Sequence, residues 1–398
     1  MKKQLNLFEE YRATSKTAIA ITVDTLNEYA SRYNHWQISF SGGKDSTALV
    51  TLVLHLIETK EIPAPKSLTV MYADTRMELP PLHSSAMQIL EQVRKRGFNT
   101  QVVMADLDKR YMVYMLGRGV PPPNGTTLRW CTQQIKLTPM KLAMQKLYDE
   151  HQEKLLSFNG VRIGESAIRD RRIEQRMAIS CSKNGSECGQ GWFQRELPES
   201  ICDKFSPILH WRVCNIWDWL MLDAPKLGFD TELLATVYGG DEAVEMNART
   251  GCICCPLASK DMALEYLVEL PQWAYLKPLL TIRSLYSWAR QHENRHQKVG
   301  EKKKDGSFSS APNRKGPLTL PARRELLDKI LAVQNEVNKV ANAEEKPKID
   351  LINEEERSRI IELIEAKTFP NRWDGTEPVG DVIVPQYDSN GNVQQPLW

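Results

Sequence analysis

Short apolar runs alternate with longer stretches of helical spacing over roughly residues 16–160. Trp36–Phe40 reads as a buried strand, Ser46–Ile57 as a helix and Ser67–Ala73 as a second strand. Pro81–Arg96 reads as a second helix, Thr100–Ala105 as a third strand and Leu155–Asn159 as a fourth. Strands alternating with helices predict an α/β fold built on a doubly wound parallel sheet.

Further along, the pattern changes. Met112–Thr132 is a Gly/Pro-rich stretch, and a loop of that length inside a compact domain carries function or stays disordered. Residues 216–222 and 261–290 return to helical spacing, 291–317 turn polar, and Pro317–Val340 is helical again. After Phe369 there is no period and many turn formers, so the tail is expected to run extended over the surface. The expected organisation is an α/β domain over 1–230, a mostly helical, cysteine-containing domain over 231–340, and a helix plus extended tail over 341–398.

Composition adds bounds. The chain has 398 residues, 41% hydrophobic and 26% charged, ordinary for a globular protein with a real core. Nothing approaches the ~18 uninterrupted apolar residues of a membrane span, and the charged N-terminus is not a signal peptide. A cytoplasmic location is expected. The net charge of +2 leaves any nucleic-acid contact to a local patch. The best one is Arg295, Lys298, Lys302, Lys303, Lys304, Arg314 and Lys315, although such a run is more often a solvated loop. Eight cysteines in such a chain argue for metal or redox chemistry over disulfides.

Ser41-Gly42-Gly43-Lys44-Asp45-Ser46 follows the first strand and opens the first helix. Glycines there let backbone amides converge on an anion, and the helix adds its N–H groups and positive dipole end. Lys44 supplies a mobile point charge, and Ser41 and Ser46 supply hydroxyls. The spacing is too short for the GxxxxGK[ST] loop. Asp74, Thr75 and Glu78 stand at the end of the second strand, where the crevice of such sheets opens. Asp74 and Glu78 suit a Mg²⁺ edge, or Asp74 or Thr75 a helix cap. Gly160 and Arg162 follow the fourth strand, with Arg169, Arg171 and Arg172 beyond, which suits anionic phosphates.

SGGKDS resembles the PP-loop of the ATP-pyrophosphatase superfamily, which includes sulfate reductases, tRNA thiolation enzymes and GMP synthetases. The DT…E and GVR..ES..R patterns are similar to its phosphoadenylylsulfate reductase branch. The resemblance implies an adenine nucleotide alpha hydrolase-like fold with a mostly helical C-terminal region. It also implies that ATP and Mg²⁺ are held by Ser41, Gly42, Gly43, Lys44, Asp45, Ser46, Asp74, Thr75, Glu78, Gly160 and Arg162. Lys44, Asp45 and Asp74 are the expected catalytic residues.

Cys252 and Cys255 form a C-x-x-C pair, whose spacing suits one metal, one cluster or thiol exchange. Cys131 lies in RWCT, five residues before Lys136, and Cys214 reads as core. RWCT, GCxxCP and GPLTLPARRELLDKIL together resemble the DndC-type sulfurtransferases of bacterial DNA phosphorothioation. That resemblance implies a 4Fe-4S cluster on Cys131, Cys252, Cys255 and a fourth cysteine. Gly240–Thr250, where the family has another cysteine, contains none. Cys188 is the chosen fourth ligand, with Cys181 and Cys254 as alternatives. The implied partners are a cysteine desulfurase as sulfur donor, passing persulfide through the cluster or a cysteine such as Cys254, and other phosphorothioation subunits that bring the DNA. Competing expectations are phosphoadenylylsulfate or adenylylsulfate reduction, tRNA thiolation, or an inactive nucleotide-binding subunit.

Overall fold

The computed structural model describes residues 7–125, 128–164, 171, 193–194, 196, 200–239, 251–258, 260–299, 313–380, 386–387 and 393–394. The chain divides into two compact units, each assembled from separate segments. Unit 1 comprises residues 1–74, 78–104 and 136–251; unit 2 comprises 75–77, 105–135 and 252–398.

Unit 1 holds a sheet of strands β1 (His35–Phe40), β2 (Ser67–Ala73), β3 (Asn99–Val103), β4 (Leu155–Phe158), β5 (Phe193–Gln194) and β6 (Cys202–Phe205). Their spatial order is β3-β2-β1-β4-β6-β5, parallel except where β5 meets β6. β1 is the hinge of this order. The chain leaves it toward β2 and β3, then returns to place β4 on its other side, so Ile38 pairs with both Val70 and Phe158. Strands buried on both faces read as near-continuous apolar runs, which is why β1, β2 and β4 are visible in the sequence.

Helices α1 (Leu7–Tyr29), α2 (Lys44–Glu58), α3 (Pro80–Lys95), α4 (Thr138–His151), α5 (Val213–Asp218) and α6 (Glu232–Val237) flank the sheet. α2 is buried from Ala48 to Leu54 because it is apolar on nearly every side. α3 starts on Pro80 and Pro81, which cost nothing in a first turn. Trp36, Phe158 and Phe205 form the aromatic spine of the core, with ring separations of 5.2 and 5.4 Å.

Unit 2 holds α7 (Met262–Leu267), α8 (Ile282–Ala289), the antiparallel pair β7 (Arg295–Val299) and β8 (Asn313–Leu318), α9 (Leu320–Ala343) and α10 (Glu354–Glu365). Thr319 caps α9 and Asn353 caps α10 in a reciprocal box with Glu356. Arg323 is fully buried and donates to the carbonyls of Leu116, Gly117 and Thr368; burial lowers its pKa to about 10.

The basic patch expected over 295–315 is largely structural where it is described. Arg295 donates to Gly316 O, Lys298 lies 4.6 Å from the Trp373 ring centre and bonds Arg372 O, and Arg314 lies 5.7 Å from the same ring. Lys302, Lys303 and Lys304 fall outside the described residues. Among the described residues, no helix is long and apolar enough to cross a membrane.

At the foot of β1, His35 stacks on His151 with ring centres 3.8 Å apart, and Ser67 Oγ lies 2.7 Å from His35 Nδ1. Burial, then the His151 charge, holds the His35 pKa below its ordinary value, with Lys66 adding to this and Glu153 and Glu150 opposing it. The unfolded chain therefore takes up this proton first, so stability is full above the ordinary histidine range and falls as pH drops through it. The melting temperature should decline from about pH 7.5 to about pH 5.5, and His151→Asn should flatten the slope. An unchanged slope in calorimetry would remove the stack as its cause.

Candidate functional site

The loop after β1 has the conformation its glycines permit. Gly42 adopts φ +71, and a Cβ there would meet Ala86 Cβ at 2.9 Å, so glycine is required twice over. Gly43 caps α2, its carbonyl accepting from Thr47 N at 2.9 Å and from Ser46 Oγ at 3.0 Å. Ser46 Oγ also accepts the Ser41 N–H at 3.2 Å and meets Ser41 Oγ at 3.0 Å, which folds the loop back on the helix start. First-turn amides have no acceptor within their own helix, so this loop presents N–H groups and a positive dipole end to an anion.

The end of β4 closes on the same loop. A Cβ at Gly160 would stand 3.1 Å from Asp45 C and Ser46 N, so glycine lets the segment after β4 approach the start of α2 closely, and a larger residue would need that backbone to give by a few tenths of an ångström. Arg162, nearly fully buried, donates to Asp45 Oδ1 at 2.5 Å and to Trp211 O at 3.3 Å. Asp45 Oδ2 in turn lies 3.2 Å from Lys44 Nζ. Three expected site residues thus form one chain of charges at the topological switch point between β1 and β4, where open α/β sheets bind ligands.

Lys44 is not the mobile point charge expected from the sequence. Its side chain is only 11% exposed, held by Asp45 and by the Tyr238 ring, 5.1 Å from the ammonium. Asp74 is buried at the end of β2, its N–H bonded to Val103 O at 2.9 Å, and Glu78 is half-buried. Thr75 is buried and belongs to unit 2, as does Arg76, which takes a left-handed φ of +63 and pairs with Glu356 and Asp350.

Sequence reasoning missed a cleft in unit 1 of about 530 Å³, lined by Phe40, Ser41, Ala73, Met140, Met144 and Asn159 among others. Its volume and mainly apolar lining suit a small ligand. The apolar spacing of α4 was the available signal.

The cysteines divide. Cys131, Cys252 and Cys255 are half-buried and all belong to unit 2. Burial raises the Cys131 pKa, and Cys255 is near enough to add to the rise. The buried hydroxyls of Tyr111 and Tyr286 lie against each other, and both feel the Cys252 thiol. Soft thiol donors in such a buried setting suit a metal–sulfur group. Among the described residues no three His, Cys, Asp or Glu side chains close on a single ion position. Cys188 and Cys181 lie outside the described residues.

Cys254, the alternative ligand and sulfur carrier, is buried at φ +49, donates its thiol to Leu279 O at 3.0 Å, and burial lifts its pKa to about 12. Cys214 is half-exposed on α5 instead of core.

Residues 35–226 match the phosphoadenosine phosphosulfate reductase domain. Two curated relatives, both from Methanocaldococcus jannaschii, are similar to the chain. Uncharacterized protein MJ0973 is 24% identical over 220 residues, 55% of this chain and 41% of the relative. Uncharacterized protein MJ0066 is 27% identical over 238 residues, 58% of this chain and 38% of the relative. The chain thus spans about two fifths of the length of these relatives. Among solved structures, phosphoadenylyl-sulfate reductase from Candida auris, a phosphate complex, matches with TM-score 0.35 and 11% identity over 63% of this chain and 96% of its own. The U34-tRNA thiolase NcsA from Methanococcus maripaludis, with its 4Fe–4S cluster, matches with TM-score 0.34 and 13% identity over 69% and 76%. The Ser41–Ser46 loop, Asp74, Gly160 and Arg162 all fall within the segment similar to that domain.

Gly160→Ala should cost about 1–3 kcal/mol in urea unfolding, because its Cβ meets backbone and not a side chain that can move. Wild-type stability in that variant would show that the β4–loop contact is looser than its geometry. In metal-free protein, iodoacetamide should label Cys252 and Cys255 well before Cys254, read by peptide mass spectrometry; early labelling of Cys254 would contradict its burial.

Proposed function

We propose that this chain is an ATP-pyrophosphatase-type sulfurtransferase that adenylates an oxygen, most specifically a DNA backbone phosphate oxygen, and exchanges it for sulfur. The observation that carries the reading is the Lys44–Asp45–Arg162 chain at the anion loop of the reductase-type domain. In the first step the acceptor oxygen attacks the α-phosphorus of ATP, and pyrophosphate leaves. The loop amides and Lys44 neutralise the charge that grows on the departing pyrophosphate. Asp45 orients Lys44 and is itself held by Arg162, while Asp74, with Glu78 and Thr75 near it in sequence, is assigned to Mg²⁺. In the second step a sulfur nucleophile attacks the activated phosphorus, and AMP leaves with the original oxygen. The sulfur comes as persulfide from a cysteine desulfurase partner, and a further thiol then cleaves the remaining S–S bond.

Cys131, Cys252 and Cys255, with Cys188 as the assigned fourth ligand, would hold a 4Fe–4S cluster. With four cysteine ligands such a cluster would supply one-electron chemistry and a cross-link between its segments when bound. Other phosphorothioation subunits would deliver the DNA, consistent with the structural use of Arg295 and Lys298.

Lys44→Ala should abolish pyrophosphate release from ATP while the circular dichroism spectrum stays unchanged. Pyrophosphate production equal to wild type would sink the assignment. Single Cys→Ser changes at 131, 252 and 255 should each lower iron and sulfide content in anaerobically purified protein. Zinc without sulfide in the wild type would replace the cluster by a structural zinc centre.

A second reading rests on the domain match itself: reduction of phosphoadenylylsulfate or adenylylsulfate by a thiol, releasing sulfite. Sulfite formation from either nucleotide without ATP would favour it.

A further inference from the structure

We infer that Tyr238 is a positioning residue that holds the Lys44 ammonium in place over the anion loop. The inference deepens the nucleotide reading of that loop and rests on it. Tyr238 ends α6 and is 4% exposed, so its ring is fixed by packing. Trp217 of α5 backs it edge-on, with ring centres 5.4 Å apart and planes at 64°. In front of it, Lys44 Nζ stands 5.1 Å from the ring centre, inside the range of cation–π attraction. The hydroxyl would lie 3.2 Å from a Cβ at Gly43, so the ring also roofs the turn that caps α2.

A lysine ammonium on a flexible stem loses rotamer freedom when it grips a phosphate. Here Asp45, 3.2 Å away, and the Tyr238 face limit that freedom before any ligand arrives, and preorganisation of this kind appears as affinity. Asp45 alone would draw the ammonium toward one side of the loop; the ring supplies an attraction that carries no net charge. Tyr238 acts on the anion through Lys44 and not by its own charge.

The test is calorimetric titration of the full chain with Mg²⁺–pyrophosphate and Mg²⁺–ATP. Tyr238→Leu should weaken both ligands about fivefold to thirtyfold. Tyr238→Phe keeps the ring face and should restore most of that loss. In a Lys44→Ala background, Tyr238→Leu should change affinity less than about twofold, because the residue it positions is gone. Equal losses in both backgrounds, or none in either, would overturn the positioning role. Should Tyr238→Leu fail to fold, the comparison rests on Tyr238→Phe and Tyr238→Trp, and a loss with Phe as large as removal of Lys44 would assign the work to the hydroxyl and overturn the inference. Wild type that binds neither ligand would overturn the nucleotide reading itself, and the inference with it.

Discussion

The close approach of Gly160 to the backbone of Asp45 and Ser46 is the constraint on which the site depends. β1 is flanked by β2 and β4, so the two strand ends that frame the crevice must converge at one point. A side chain at that point would force the backbone of Asp45 and Ser46 to give by a few tenths of an ångström. With glycine there, Arg162 comes within reach of Asp45, and Asp45 within reach of Lys44. A charge on the loop is thereby oriented through two intermediaries, all in one compact unit.

The same arrangement changes how the loop residues are understood. A lysine after a glycine turn suggests a side chain that searches for its phosphate. The structure instead holds it between a carboxylate and an aromatic face. Buried opposite charges with good geometry are costly to break singly, which makes each member of the chain sensitive to loss of its neighbour.

Much of unit 1 was legible in the sequence. β1, β2, β4, α2 and α3 are long or apolar enough for periodicity to reveal them, and β2 matches its expected bounds. β5 and β6 were not legible: two residues and the mixed run Cys202–Phe205 carry too little pattern. The β7–β8 pair reads as a polar loop because its basic side chains rest on Trp373, some sixty to seventy-five residues away in sequence. The anion loop was legible because its glycines, lysine and helix start lie side by side. Tyr238 was not, since only the fold brings it to Lys44. Cys254 shows the same limit in reverse: sequence adjacency to Cys255 suggested shared chemistry, and a left-handed backbone turns its thiol toward Leu279.

The interleaved make-up of the two units has a consequence for synthesis. Unit 2 takes residues 105–135 from the middle of the chain but most of its mass from 252 onward. At about 5–20 residues per second, Cys131 leaves the ribosome many seconds before Cys252 and Cys255. Leu116 O waits longer still for Arg323, which follows it by 207 positions. During that interval an aromatic, cysteine-bearing segment lacks its partners while unit 1 is already closing around it in sequence. Such long-range pairing is slow to form.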